Sequence, residues 1–167
     1  MRAKSGPSIS AVLICLVASL LGFAQSGAGV LGADEIKKIV PASFFFRGQS
    51  APVQLRNSVG FKAQDKLVLA GLVDTSGYSS GIREKYQGFL ITEVKLNIAG
   101  SELAPGQYGF GFKDGKFIVM DVGANDLVNV GAHRDDQLQR AVPLKMVSEK
   151  DGYRLYEGKN WIGLKTQ

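Results

Sequence analysis

The chain has 167 residues, with 20 Lys and Arg against 15 Asp and Glu, a formal net charge of +5, one histidine, one cysteine and one tryptophan. That length supports a single domain burying roughly two-thirds of the surface its unfolded chain exposes, and one cysteine excludes an internal disulfide framework. The cations, among them Lys37, Lys38, Arg47, Arg56, Lys62, Lys66, Arg83 and Lys85, are interleaved with acids instead of forming a counterion-releasing stripe, which argues against a nucleic-acid partner.

Residues 1–26 follow the order of a secretory signal peptide: Arg2 and Lys4, an apolar run from Ile9 to Leu21, then a small-residue stretch from Gly22 to Ala28. The run is about 13 residues, where a spanning helix needs about 20, so cleaved export after Ala24, Ser26 or Ala28 is preferred to a retained anchor. Cys15 follows Val12-Leu13-Ile14 inside the run, which does not match the Leu-x-small-Cys order of a bacterial lipidation signal. Cleavage removes Arg2, Lys4 and Cys15, lowers the net charge from +5 to +3, and excludes thiol catalysis and cysteine metal sites from the mature chain. The expected location is periplasmic or extracellular, without membrane insertion after cleavage. Stability then rests on one hydrophobic core without disulfides.

Residues 27–42 are expected to form a linker and a short helix, with Asp34 capping Asp34–Val40 and Pro41 ending it. From residue 43 to 167 the apolar period changes to two, the period of strands. Expected strands are Ser43–Arg47, Ala51–Arg56, Lys66–Val73, Gly88–Asn97, Tyr108–Phe112, Phe117–Val122, Leu127–Ala132, Leu144–Val147, Tyr153–Tyr156 and Asn160–Lys165. Asp114-Gly115 reads as a two-residue hairpin turn and Asp151-Gly152 as a second. The breaks at Thr75–Lys85 and His133–Arg140 each have room for a helical turn. The fold class is all-β, a single antiparallel β-sandwich or partly closed β-barrel with one short N-terminal helix.

No residue demands catalysis. His133 lies beside Asp135 and Asp136, but a metal site gathers several scaffold-held ligands and this cluster lacks a second histidine, so a solvated loop histidine is the expectation. Ser76, Ser79 and Ser80 lack a Gly-x-Ser-x-Gly elbow. Gly106-Gln107-Tyr108-Gly109-Phe110-Gly111-Phe112 leads into a strand and hairpin instead of a helix, so it is no phosphate loop. Its aromatics are expected to fill a core while Gly109 and Gly111 leave the other face bare, for a close crossing segment or for the floor of a ligand groove. Thr75–Tyr86 combines turn residues with Tyr78, Arg83, Glu84 and Tyr86, types that carry binding energy at interfaces, and these four are the candidate ligand-binding residues. No catalytic residue, metal ligand or cofactor is assigned.

Leu103-Ala104-Pro105-Gly106-Gln107-Tyr108-Gly109-Phe110 with the Asp114-Gly115 turn resembles a Leu-x-x-Gly-x-Tyr segment of uncharacterised secreted bacterial β-domain proteins. That resemblance implies a secreted β-domain and no catalytic residues. Ser80-Gly81-Ile82-Arg83-Glu84-Lys85-Tyr86 is similar to the Ser-Gly-x-x-Tyr loop of periplasmic lysozyme inhibitors, with two extra residues before the tyrosine and without that family's cysteines. The expected function is an exported, non-enzymatic domain that binds a small molecule, glycan or protein. The alternatives are a lysozyme- or protease-inhibitor-like protein and a cell-envelope hydrolase.

Overall fold

The computed structural model describes residues 29–167. The export signal expected at 1–26 lies outside the described residues. Among the described residues, no helix is long and apolar enough to cross a membrane.

Two antiparallel sheets stack on each other. In chain order the larger sheet contains β1 (Gly29–Val30), β2 (Ser43–Phe46), β3 (Gln49–Ala63), β4 (Lys66–Val73), β5 (Gly88–Thr92), β8 (Gly106–Lys113), β9 (Lys116–Met120) and β10 (Asp126–Gly131). The smaller sheet contains β6 (Leu96–Ile98), β7 (Ser101–Leu103), β11 (His133–Arg134), β12 (Val142–Glu149), β13 (Gly152–Gly158) and β14 (Asn160–Thr166). The larger runs β1-β3-β4-β5-β8-β9-β10, with β2 also on β3; the smaller runs β12-β13-β14-β6-β7, with β11 also on β14. The result is a sandwich without a closed barrel.

Between the sheets lies a core of Phe61, Val68, Ala70, Leu90, Phe110, Phe117 and Val119 from the larger sheet against Leu96, Ile98, Leu155, Ile162 and Leu164 from the smaller. A second buried layer covers the opposite face of the larger sheet: Leu69, Val73, Phe89, Ile118 and Met120 meet Leu31, Ile36, Phe44, Phe46, Tyr78 and Tyr86. One core was expected, with alternation read as one face inside and the other in water. The correction follows from β4 and β9, whose successive apolar residues alternate between two cores, so both faces are dry.

The expected strand 88–97 is two strands. The chain leaves the larger sheet after Thr92 and joins the smaller at Leu96, and the buried Thr92 holds the corner by donating its hydroxyl to the Val94 carbonyl at 2.6 Å. The expected strand 51–56 is the first part of the long β3. Its register on β4 shifts between Val53 and Ser58, where Gln54 accepts from Asn57 Nδ2 at 2.8 Å. A helix, α1 (Ala33–Ile39), starts one residue before the expected span, and Gly32 occupies the cap position expected for Asp34. Glu35 Oε2 accepts the Gly32 N–H at 3.0 Å, and extended Val40 before Pro41 ends the helix. Residues 29–31 run along β3, with Gly29 opposite Lys62 and the Leu31 N–H donating to the Gly60 carbonyl at 2.9 Å.

Asp114 and Gly115 form the expected hairpin turn, with φ of 52° and 72° and Lys113 opposite Lys116. The second turn falls one residue earlier than expected, on Lys150-Asp151, since Glu149 pairs with Gly152. The break after Thr75 contains a short helix, α2 (Ser80–Arg83); the break after His133 contains β11 and no helical turn.

Candidate functional site

The four candidate residues of the 75–86 segment divide by burial. Tyr78 and Tyr86 are core residues. The Tyr86 ring is fully buried, stacks on Phe46 at 3.9 Å and meets Tyr78 edge-on at 5.2 Å. The Tyr78 hydroxyl sits 2.9 Å from the Phe46 carbonyl and 3.1 Å from that of Gln49, tying the segment to the β2–β3 hairpin. Among the described residues the Tyr86 hydroxyl has no hydrogen-bond partner, and burial pushes its ionisation well above the usual tyrosine range. Arg83 and Glu84 remain exposed. Glu84 pairs with Lys113, whose hydrogen bond holds the carboxyl below its usual range, while Lys85 pairs with Asp126 at 2.6 Å. The segment is a strap whose tyrosines point inward, so it presents Arg83 and Glu84 but no aromatic ring.

The bare face of β8 explains this. Phe110 and Phe112 point into the inter-sheet core. A Cβ at Gly109 would collide with the Phe46 ring, and one at Gly111 with the Lys85 backbone carbonyl. The groove is filled by the chain itself, and the close crossing is the use these glycines serve.

The outward face of the smaller sheet is different. Along β14, Ile162 and Leu164 point into the core, which turns Trp161, Gly163 and Lys165 outward. Register sets their neighbours: Tyr156 and His133 flank Trp161, Arg154 is opposite Gly163, and Asn97 is opposite Lys165. His133 stacks on Trp161 from β11 with ring centroids 4.3 Å apart, and the Arg154 guanidinium lies 4.1 Å over the indole from β13.

Polar contacts fix this ladder. Arg154 Nε pairs with Glu149 at 3.2 Å, and Nη1 donates to the Tyr156 hydroxyl at 3.4 Å, an interaction that raises the guanidinium further above its usual range. The Tyr156 hydroxyl donates to Asp135 Oδ2 at 3.2 Å. Asp136 pairs with Arg134 at 2.9 Å. Both acids beside His133 therefore serve other partners and the imidazole serves the indole. His133 is exposed, as expected, but sits on a short strand where a loop was expected. Among the described residues, no group of three or more His, Cys, Asp or Glu is placed to hold a metal ion.

Two hollows meet at Trp161, Gly163 and Lys165. The larger, about 440 Å³, is lined by Asn97, Gly100, His133, Trp161, Gly163 and Lys165, and the smaller, about 220 Å³, lies on the Arg154 side and shares Trp161, Gly163 and Lys165. Among the described residues a Cβ at Gly163 would meet nothing within 4 Å, so the floor between the hollows is open there. The larger volume falls within the roughly 300–1,000 Å³ of small-molecule sites. None of these residues was a sequence candidate except His133, which was read as solvated. The available signal was Trp161 alternating with Ile162 and Leu164 in an expected strand, which turns the chain's one tryptophan away from the core.

Fold and site together define an all-β sandwich with one sheet sealed on both faces and the other carrying an open aromatic ladder. Comparison of the chain with protein-family models, curated proteins and solved structures finds no match.

Proposed function

We propose that this chain is an exported, non-enzymatic binding domain whose ligand site is the outward face of the smaller sheet, over Gly163 between Trp161 and Lys165. The carrying observation is the open floor at Gly163 beside a tryptophan that stacks on His133 and lies under the Arg154 guanidinium. Preorganised aromatic groups lose little conformational entropy on binding, which favours recognition over chemistry. The engagement of Asp135 by Tyr156 and of Asp136 by Arg134 supports the same reading, since neither carboxylate is left to activate His133. Export is supported by the basic, apolar and small-residue order of residues 1–28.

Gly163→Leu tests the site. Its Cβ meets open space and the position needs no left-handed backbone, so the fold should keep its melting temperature while the side chain fills the floor. Mass spectrometry of protein purified from its native host should find a ligand on the wild type that is missing from Gly163→Leu. The same ligand on both proteins would overturn this placement. For export, N-terminal sequencing of chain recovered outside the cytoplasm should begin between Gln25 and Val30, and full-length chain in the membrane fraction would reject it.

A further inference from the structure

We infer that the ligand of this face is an acidic oligosaccharide, a carboxylate-bearing sugar chain laid over Gly163 from Trp161 toward Lys165; this rests on the binding-face reading above. The argument starts from which charges are already used. On the outward face Glu149 pairs with Arg154 at 3.2 Å, Glu102 pairs with Lys95 at 3.3 Å, and Asp135 accepts from Tyr156. Lys145, opposite Tyr156, and Lys165, opposite Asn97, are exposed on the same face and make no ion pair among the described residues. In the larger hollow the unpaired side-chain charge is that of Lys165, while Asp151, also without an ion pair among the described residues, lines the smaller one.

The larger hollow sharpens the point. No aspartate or glutamate side chain lines it; Asp151 and Glu149 line only the smaller one. Asn97 has committed its Oδ1 to the Gly100 N–H at 3.0 Å, so its NH₂ group is what remains to offer. Lys165 directly opposite offers three N–H donors and no acceptor. Thr166 and Gln167 at the end of the strand add groups that both donate and accept, and Lys165 is the one charged side chain in the lining, so the hollow favours a ligand that bears negative charge. The edge of the Trp161 indole, whose faces meet His133 and Arg154, adds an apolar rim at one end. Four residue steps of strand take the chain from Trp161 to Lys165, about 13 Å at roughly 3.3 Å per step. That span suits a chain of sugars better than one small carboxylate.

Trp161 is the chain's one tryptophan, so its fluorescence reports this site directly. The probes are oligogalacturonates, cello-oligosaccharides of matched length as neutral controls, and phosphatidylglycerol vesicles as an anionic surface. We expect a saturable change with oligogalacturonates alone, weakened by salt, lost in Gly163→Leu, and about tenfold or more weaker in Lys165→Gln, the scale of one charge-assisted hydrogen bond. Equal response to the neutral sugars, or no effect of Lys165→Gln, would overturn the acidic class and leave the binding face standing. Response to vesicles alone would reassign the face to a membrane surface. Oligogalacturonate binding that survives both Gly163→Leu and, by calorimetry, Trp161→Ala would place the site elsewhere and overturn both readings. Silence toward both saccharides overturns the sugar assignment, while the ligand comparison between wild type and Gly163→Leu separately judges the face.

Discussion

The outward faces of the two sheets carry similar side chains and meet opposite fates. On the larger sheet, Phe46, Tyr78, Tyr86 and Phe89 form one buried layer, with the Phe46 ring over Gly109 and the Lys85 carbonyl over Gly111, and the β2–β3 hairpin and the 75–86 strap cover it. On the smaller sheet, His133, Arg154, Tyr156 and Trp161 gather beside Gly163, where the floor remains open. Aromatic and glycine content is thus no guide to whether a sheet face binds something. What decides is whether another part of the chain has already taken the place of the ligand.

Substitutions can break or sharpen that contrast. The largest effect is expected at Tyr86→Ala, which empties a fully buried ring site stacked on Phe46 and should cost about 3–5 kcal/mol in denaturant unfolding. A loss below about 1 kcal/mol would show that the strap is not a sealed layer. Gly111→Val drives a side chain into the Lys85 carbonyl and should cost roughly 1–3 kcal/mol by overpacking. Wild-type stability in that variant would mean the strap does not cross β8 so closely.

Glu157 gives a pH-dependent effect. It follows Leu155 by two residues on β13, so alternation turns it toward the core side, and burial pushes its carboxyl up to about 7 from the usual 4.5. The folded state therefore holds a proton that the unfolded state has lost between those two values. Stability should fall as pH rises from about 4.5 to about 7 and level off above, by on the order of 2 kcal/mol. Glu157→Gln should remove that component and be the more stable protein at pH 8, as read from paired melting curves; parallel curves for the two proteins across this range would refute it.

Trp161→Ala, on the open face, should cost only about 1 kcal/mol from the lost His133 and Arg154 contacts. A cost near that of Tyr86→Ala would make the ladder a structural element. The smallest effect is expected at Tyr86→Phe. Its hydroxyl has no partner, so removing it should leave stability within about 0.5 kcal/mol or raise it; a clear loss would reveal a hydrogen bond to that oxygen.

Much of this was legible from local chemistry. Period-two alternation marked most strands, and β4 falls on the expected residues Lys66–Val73. Asp114-Gly115 marked its turn because few dipeptides adopt two successive positive φ values cheaply. The outward direction of Trp161 was implicit in its alternation with Ile162 and Leu164. Harder to read were the corner between Thr92 and Leu96, where apolar alternation continues on both sides while the chain changes sheet, and the shifted stretch of β3 near Asn57, whose polar residues look like a loop.

The sequence by itself determined the all-β class, the tightest hairpin, and which residues alternate, because these depend on backbone preferences and on side-chain period within a few residues. Only the tertiary structure decided that Tyr78 and Tyr86 are buried while Trp161 borders an open floor. Burial of a sheet face depends on which distant segment crosses it: the Phe46 ring reaches Gly109 across 63 positions of chain, and among the described residues no distant side chain reaches the space above Gly163. Strand period states that a residue points outward; it does not state what, if anything, waits there.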